Sequence, residues 1–375
     1  MTEEVRASEG ALRRIVVVGT GLIGTSIALA MREHGADVLL ADRDTASLRL
    51  AVEIGAGAAL PEGDPGEPAD LAVLAVPPAA VAAALLDAQK RGLARFYTDV
   101  ASVKLRPLSE AAELGCDLST FVPGHPLAGR ERSGPAAARA DLFLGRPWAL
   151  CPSPESSAEA AEAVTALARA CGGEPVTVSA AEHDRAVALV SHGPHVVSAA
   201  MAARLGDAPD VALGLAGQGV RDVTRIAASD PRLWIGILSA NAEPVAEVLD
   251  AVAGDLALAA AMLRAGAQSG GAVADVAAEK VTELLHRGTI GRGRIPGKHG
   301  GRARSYAIVS VVIPDRPGEL ARLFQAAGDA GVNIEDVAIE HSPGLPVGVA
   351  ELSVRPEAAE ELADELRVRG WSVPG

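Results

Sequence analysis

Three glycines, a serine, three histidines and a few arginines are the residues of this chain whose types and spacing could do chemistry. Gly19, Gly21 and Gly24 stand as GxGxxG in IVVVGTGLIGTSIALAMREHGADVLLADRD, between an apolar run and an Ala-rich stretch. Between a strand and a helix, Gly19 makes the tight turn, Gly21 lets the backbone approach a pyrophosphate, and Gly24 allows close helix packing. Thr20, Leu22 and Ile23 complete that loop. Asp42 ends the next apolar run, 18 positions past Gly24. A carboxylate there accepts from a ribose hydroxyl and repels a 2′-phosphate, so the segment predicts an NAD site. Arg43 beside it leaves some use of NADP open, and a surface aspartate in a DRD turn is the competing reading of Asp42.

Ligands of a doubly wound sheet bind outside the carboxyl ends of its strands. Three such ends carry distinctive residues: LAVPP, which puts Val76 and Pro77 near the cofactor, TDVASVK with Ser102, and FVPGHPLAG with His125. An imidazole near neutral pKa suits acceptance of a proton from a substrate hydroxyl as hydride leaves the same carbon, and a serine can hold that hydroxyl. Position alone also fits a hydrogen-bonded structural histidine. His192 and His195 are three apart on a predicted helix, but no further ligand of suitable spacing accompanies them, so no metal is expected.

The elements that must position these residues follow from the apolar pattern. Residues 1–180 predict an α/β Rossmann domain with a mostly parallel sheet, its strands at Arg14–Gly19, Asp37–Asp42, Leu71–Val76, Phe96–Val100, Thr120–Pro123 and Trp148–Pro152. Residues 181–285 are Ala-rich and predict an all-helical domain. Residues 286–304 are Gly-rich with six basic residues and no acidic one, the composition of a linker. Residues 305–375 read as β, α, β, β, α, β, the ferredoxin-like order.

Composition sets the outer bounds. The 375 residues are 49% hydrophobic and 2% aromatic, so the cores must be built from Ala, Val, Leu and Ile. A net charge of −14 argues against nucleic-acid binding and adhesion to an anionic membrane. No 18-residue apolar run is free of charge and turn residues, and the first ten residues are polar, so neither a membrane span nor a secretory signal is expected. Cys116, Cys151 and Cys171 form no CxxC pair, which fits a reducing cytoplasm.

Taken together, GHPLAG, the upstream DVASVK, VSHGPH (residues 190–195) and RDVTRIAASDPRLW (residues 221–234) resemble the motifs of prephenate dehydrogenases, the TyrA family, in the right order over residues 14 to about 285. The resemblance implies NAD-dependent oxidative decarboxylation of prephenate, or of arogenate in the nearest rival. It implies that His125 polarises the C4 hydroxyl, that Ser102 orients it, and that Arg225, His195 and Trp234 meet the substrate, with His192 in support. A guanidinium suits a carboxylate through two parallel hydrogen bonds. Trp234, the only aromatic residue between residues 180 and 305, reads equally as core packing. Arg130, Glu131 and Arg132 bear on the choice of substrate without assigning a contact. The tail from Ser305 resembles an ACT domain through IPDRPGELARLF and GVNI. That implies an amino-acid effector, tyrosine by end-product logic, near Asp315, Pro317, Gly318 and Asn333; simple chain pairing is the alternative. The Ala-rich helices suit a homodimer. A non-catalytic NAD-linked sensor is the rival of a different class, and it needs no proton acceptor at the nicotinamide edge.

Overall fold

The computed structural model describes residues 12–61, 66–128, 133–268, 272–296, 306–341 and 346–374. Two compact units divide between Ala253 and Gly254. The first begins with β1 (Arg14–Val18), α1 (Leu22–Glu33), β2 (Asp37–Ala41), α2 (Thr45–Glu53), β3 (Ala58–Ala59), β4 (Ala69–Leu74), α3 (Val81–Lys90), β5 (Ala94–Asp99) and α4 (Leu105–Glu113). Its five strands form one parallel sheet in the order β3-β2-β1-β4-β5. The strands are near-continuous apolar runs because both faces are covered. Ile15, Val17, Leu71 and Val73 join the α1 residues Ile27 and Met31 in one core cluster. Val16, Ala72 and Leu74 point the other way, into a cluster with Val81 and Leu85 of α3. The strand order reverses between β1 and β4, which marks where such a sheet opens a ligand crevice.

A second sheet was not anticipated by the single parallel reading. It holds β6 (Gly124–Pro126), β7 (Pro147–Leu150) and β8 (Glu174–Thr177), with α5 (Ala158–Ala170) between the last two. β6 runs antiparallel to β7, and β7 parallel to β8. The strand expected at Thr120–Pro123 is therefore displaced. Asp117 caps a 3₁₀ turn over Leu118–Thr120, accepting from the Ser119 N–H at 3.0 Å and hydroxyl at 2.6 Å, and only Phe121 bridges to Tyr97 of β5. His125 consequently lies within a strand instead of after one.

The chain then turns helical: α6 (Ala180–Val187), one π-helical turn (Ala188–His192), α7 (Gly193–Ala203), α8 (Asp210–Gly214), α9 (Gln218–Thr224), a 3₁₀ turn (Arg225–Ala227), α10 (Pro231–Ala240) and α11 (Ala242–Gln268). The continuous helix Ala180–Ala203 is, by length and hydropathy alone, apolar enough to cross a bilayer. Its buried face, however, carries His183, Asp184, His192 and His195, polar groups that suit a protein interior because each is hydrogen-bonded.

Helix α12 (Ala272–Gly293) corrects the linker reading, since residues 286–293 continue a helix. No proline interrupts it before Pro296, the Arg287 guanidinium reaches Asp255 at 2.7 Å, and Arg292 in the last turn complements the helix dipole. The rest of the linker lies mostly outside the described residues. After it come β9 (Ala307–Pro314), α13 (Glu319–Asp329), β10 (Asp336–His341), β11 (Val347–Val354) and α14 (Pro356–Val368). The sheet order is β10-β11-β9, and Ser372 bridges Val312 on the free side of β9, so the fourth expected strand of this region is reduced to a bridge. Val311, Leu323, Leu352, Leu362, Leu366 and Trp371 form the core of this βαββα unit.

Candidate active site

The glycine loop is built as its spacing requires. Gly19 adopts φ +104° and donates its N–H to the Ala41 carbonyl at 2.7 Å; a Cβ there would meet the Ala75 carbonyl oxygen at 2.2 Å. A Cβ on Gly24 would lie 2.0 Å from the Gly19 oxygen, so α1 can approach β1 only without one. Gly21 differs: a Cβ would meet nothing within 4 Å, and as N-cap of α1 it leaves the first helical N–H groups without a side-chain cap. Open space over uncapped N–H groups is what a pyrophosphate needs, so the residues present fit a dinucleotide. Leu22 and Ile23 are half-buried in the first turn of the helix. Val76 and Pro77 follow β4, which ends at Leu74, beside the β1/β4 reversal.

Asp42 sits at the carboxyl end of β2 and braces the loop. Its Oδ2 accepts from the Thr20 N–H at 2.5 Å and hydroxyl at 2.8 Å, and its Oδ1 from the Asp44 N–H at 2.9 Å. Arg43 beside it is exposed.

His125 is held from several directions. The Asp99 carboxylate, at the end of β5, accepts from the Gly124 N–H at 3.0 Å, and the Lys104 ammonium donates to the Gly124 carbonyl at 2.6 Å. Lys104 also pairs with Asp99 at 2.5 Å, both side chains being essentially without solvent. This clamp fixes β6 against the carboxyl edge of the main sheet. Burial pushes the Asp99 carboxyl up, opposed by Lys104 and by the N–H groups of Gly124 and Ala101. A buried carboxylate with an ammonium and two N–H donors is a fully paired charge.

The His125 Nδ1 lies 2.9 Å from Nε2 of His183, and Nδ1 of His183 lies 2.7 Å from Oδ1 of Asp184. Residues Ser179 and Glu182 form a capping box that starts α6 and so places His183 and Asp184 in its second turn. The Asp184 carboxylate also accepts the N–H groups of Lys104 and Leu105, at 2.8 and 2.9 Å, capping the start of α4. Burial first, then His183, Lys104 and His192, hold the His125 imidazole well below its ordinary value, so it is neutral at pH 7. Ser102 lies half-buried beyond β5, and among the described residues its hydroxyl makes no hydrogen bond to His125.

Around α7 the π turn adds one residue, and such bulges recur at functional sites. His192 is buried; its Nδ1 lies 3.1 Å from the Asn241 amide, which also donates to the Asp184 carbonyl at 2.8 Å. Burial pulls its pKa down to about 4. The His195 ring stacks on Trp234 at 3.5 Å and 4°, and its Nε2 lies 3.0 Å from the Ser229 hydroxyl. Trp234 therefore packs on a proposed substrate residue, which joins the two readings of it. Arg225 opens the 3₁₀ turn after α9 and is exposed. Arg130, Glu131 and Arg132 lie outside the described residues.

Sequence reasoning missed Asp99, Lys104, His183, Asp184, Ser229 and Asn241. The one local signal was the Ser179–Glu182 box, which marks the helix start next to His183. In the second unit, Asp315, Pro317 and Gly318 do form an exposed turn into α13, with Gly318 at φ +89°. Asn333 lies beyond the helix, donating to Glu335 at 2.8 Å.

An open glycine loop at a sheet's switch point and a neutral imidazole at its carboxyl edge together define a nucleotide-dependent dehydrogenase. The model for the nucleotide-binding domain of prephenate dehydrogenase matches residues 27–177, and that for its dimerization domain matches residues 179–272. A Streptomyces niveus protein described as probable prephenate dehydrogenase NovF is 43% identical over 362 residues, 96% of this chain and 99% of that protein. Among solved structures, Aquifex aeolicus prephenate dehydrogenase in complex with hydroxyphenyl propionate and NAD+ superposes with TM-score 0.65 at 26% identity, over 75% of this chain and 97% of that one. Synechocystis arogenate dehydrogenase gives 0.61 at 26% identity, over 74% and 98%. The chain belongs to the prephenate dehydrogenase family.

Proposed function

We propose that this chain oxidatively decarboxylates prephenate to 4-hydroxyphenylpyruvate with NAD, and that His125 is its proton acceptor. The observation that carries this reading is the neutral imidazole held beside the carboxyl edge of the nucleotide-binding sheet. When bound, NAD takes up hydride from the C4 carbinol carbon. His125 accepts the hydroxyl proton as that carbon is oxidised, and returns it to the phenolic oxygen once the ring carboxylate has left as carbon dioxide. Ser102 orients the hydroxyl. Arg225 binds a substrate carboxylate, and His195, stiffened by Trp234 and Ser229, meets the substrate from the helical side. The glycine loop, Asp42, Arg43, Val76 and Pro77 hold the cofactor, with Asp42 favouring NAD over NADP.

The partition into residues 1–180, 181–285, 286–304 and 305–375 is retained as a functional division, with the first part of the linker helical. The helical region pairs two chains, in keeping with the match to a dimerization domain. The βαββα unit is an ACT module whose Asp315–Gly318 turn and Asn333 take tyrosine. The likeness to an arogenate dehydrogenase supports a second reading, in which the side chain of the substrate carries an amine.

Steady-state assays with both substrates test the proposal. His125→Asn should lower kcat by about 10²–10⁴ with KM little changed. Arg225→Gln should raise KM about 10- to 100-fold, the loss of a charge-assisted pair. An unaltered KM would remove Arg225 from the site, and turnover of arogenate alone would change the substrate.

A further inference from the structure

We infer that His183 and Asp184 are positioning residues for His125, forming a relay that fixes its tautomer with Nε2 as the basic nitrogen and shares the charge it gains. The inference rests on the assignment of His125 as proton acceptor, and it follows from counting donors along the chain of contacts.

The Asp184 carboxylate can only accept, and it already takes two backbone N–H groups from the start of α4. His183 Nδ1, 2.7 Å from Oδ1, must therefore carry the proton. In a neutral imidazole the other nitrogen is then a lone pair, so His183 Nε2 accepts from His125 Nδ1 at 2.9 Å. That leaves the lone pair of His125 on Nε2, directed away from the relay. The reverse order would put a proton on Nε2 and leave no base. The rings meet edge to face, with centroids 5.1 Å apart and planes at 75°, which keeps the Nδ1–Nε2 line short without stacking.

The proton steps balance. The substrate hydroxyl proton passes to His125 Nε2 and makes an imidazolium, whose Nδ1 proton is held by His183 while the His183 Nδ1 proton is held by Asp184. No proton leaves the site, because the same one returns to the phenolic oxygen. Asp184 supplies the negative charge that stabilises the imidazolium, and Lys104, His192 and the Asp99–Lys104 pair are the other charged or titratable groups facing it. Acid–base groups oriented by a second residue lose most of their effect when that residue goes, as the serine-protease aspartate shows at about 10⁴-fold.

The full chain with NAD bound, labelled with ¹⁵N-histidine, reads the tautomer directly. The expected result is a protonated Nδ1 and an unprotonated Nε2 on His125, shifting toward the Nε2–H form of free imidazole in His183→Leu. That variant should lower kcat about 10²- to 10³-fold with KM within about threefold. His183→Gln keeps a carbonyl for Nδ1–H and should recover at least about tenfold of that loss. Because NAD titration reports an intact nucleotide domain, and the tautomer is read on the unsubstituted protein, a misfolded Leu variant does not shield the inference. A proton on Nε2 of His125 in the unsubstituted enzyme overturns it. So does a His183→Leu kcat within twofold of the parent while His125→Asn is inactive. Full activity in His125→Asn would overturn the base assignment itself, and the relay with it.

Discussion

The glycine loop and the surroundings of His125 do comparable work by different means. In the loop, function is carried by backbone: φ +104° at Gly19, a Cβ-free approach at Gly24, and open N–H groups at Gly21. Around His125 it is carried by side chains from four separated stretches, namely Asp99 and Lys104, His125, His183 and Asp184, and Asn241. A site made of backbone conformation fails locally when one residue gains an atom. A site made of buried polar side chains fails globally when one partner is lost, because the remaining charge has no water to turn to.

Substitution in each region should break that contrast or confirm it. Lys104→Met leaves the Asp99 carboxylate buried beside unpaired space, which costs about 3–5 kcal/mol. For a domain of this size that corresponds to a drop in Tm of roughly 10 °C, measured by calorimetry on the whole chain. Gly19→Ala should do the opposite. Its Cβ strikes the Ala75 carbonyl at a left-handed φ, so the loop must shift; NAD affinity falls at least about tenfold while Tm falls by less than in Lys104→Met. If Gly19→Ala destabilises the fold more than Lys104→Met, the distinction between a local and a global site is wrong.

The same contrast explains what could be read from sequence. Gly19, Gly21, Gly24 and Asp42 lie within 24 residues, and each requirement there is local, so their spacing together with the flanking strand and helix patterns makes the loop legible. The main strands were legible for the same reason, as apolar runs of the right length. The β6 strand was not, because Asp117 and the Lys104 clamp on Gly124, both remote from apolar periodicity, decide where it begins. His183 lies 58 positions from His125, and nothing in either local pattern states that the two rings meet. Only the end of helix α12, residues 286–293, departs from the linker that glycine and charge content predict: the stop is set by Pro296 and this stretch is tied by Arg287 to Asp255.

The smallest expected effect, and the sharpest on the comparison, is the response to acid. His192 is buried and its folded pKa is lowered to about 4, and those of His125 and His195 are also lowered, all chiefly by burial. In the unfolded chain these imidazoles titrate near 6.5. Between pH 6.5 and about 4 the unfolded state therefore binds more protons than the folded one, and stability falls as pH falls through that window. The helix cap after Asp42 behaves otherwise: the Asp44 carboxyl, at the N-cap of α2, is lowered by its bonds to Ser47 and to the Ala46 N–H, so its contribution is full above its ordinary value near 3.8 and is lost only below it. Denaturant midpoints at pH 7, 5.5 and 4.5 should decline in that order, with His192→Asn flattening the slope. A parent profile that is flat to pH 4.5 would mean that the histidine region admits water and protons freely, and the side-chain site would then be no more sealed than the backbone one.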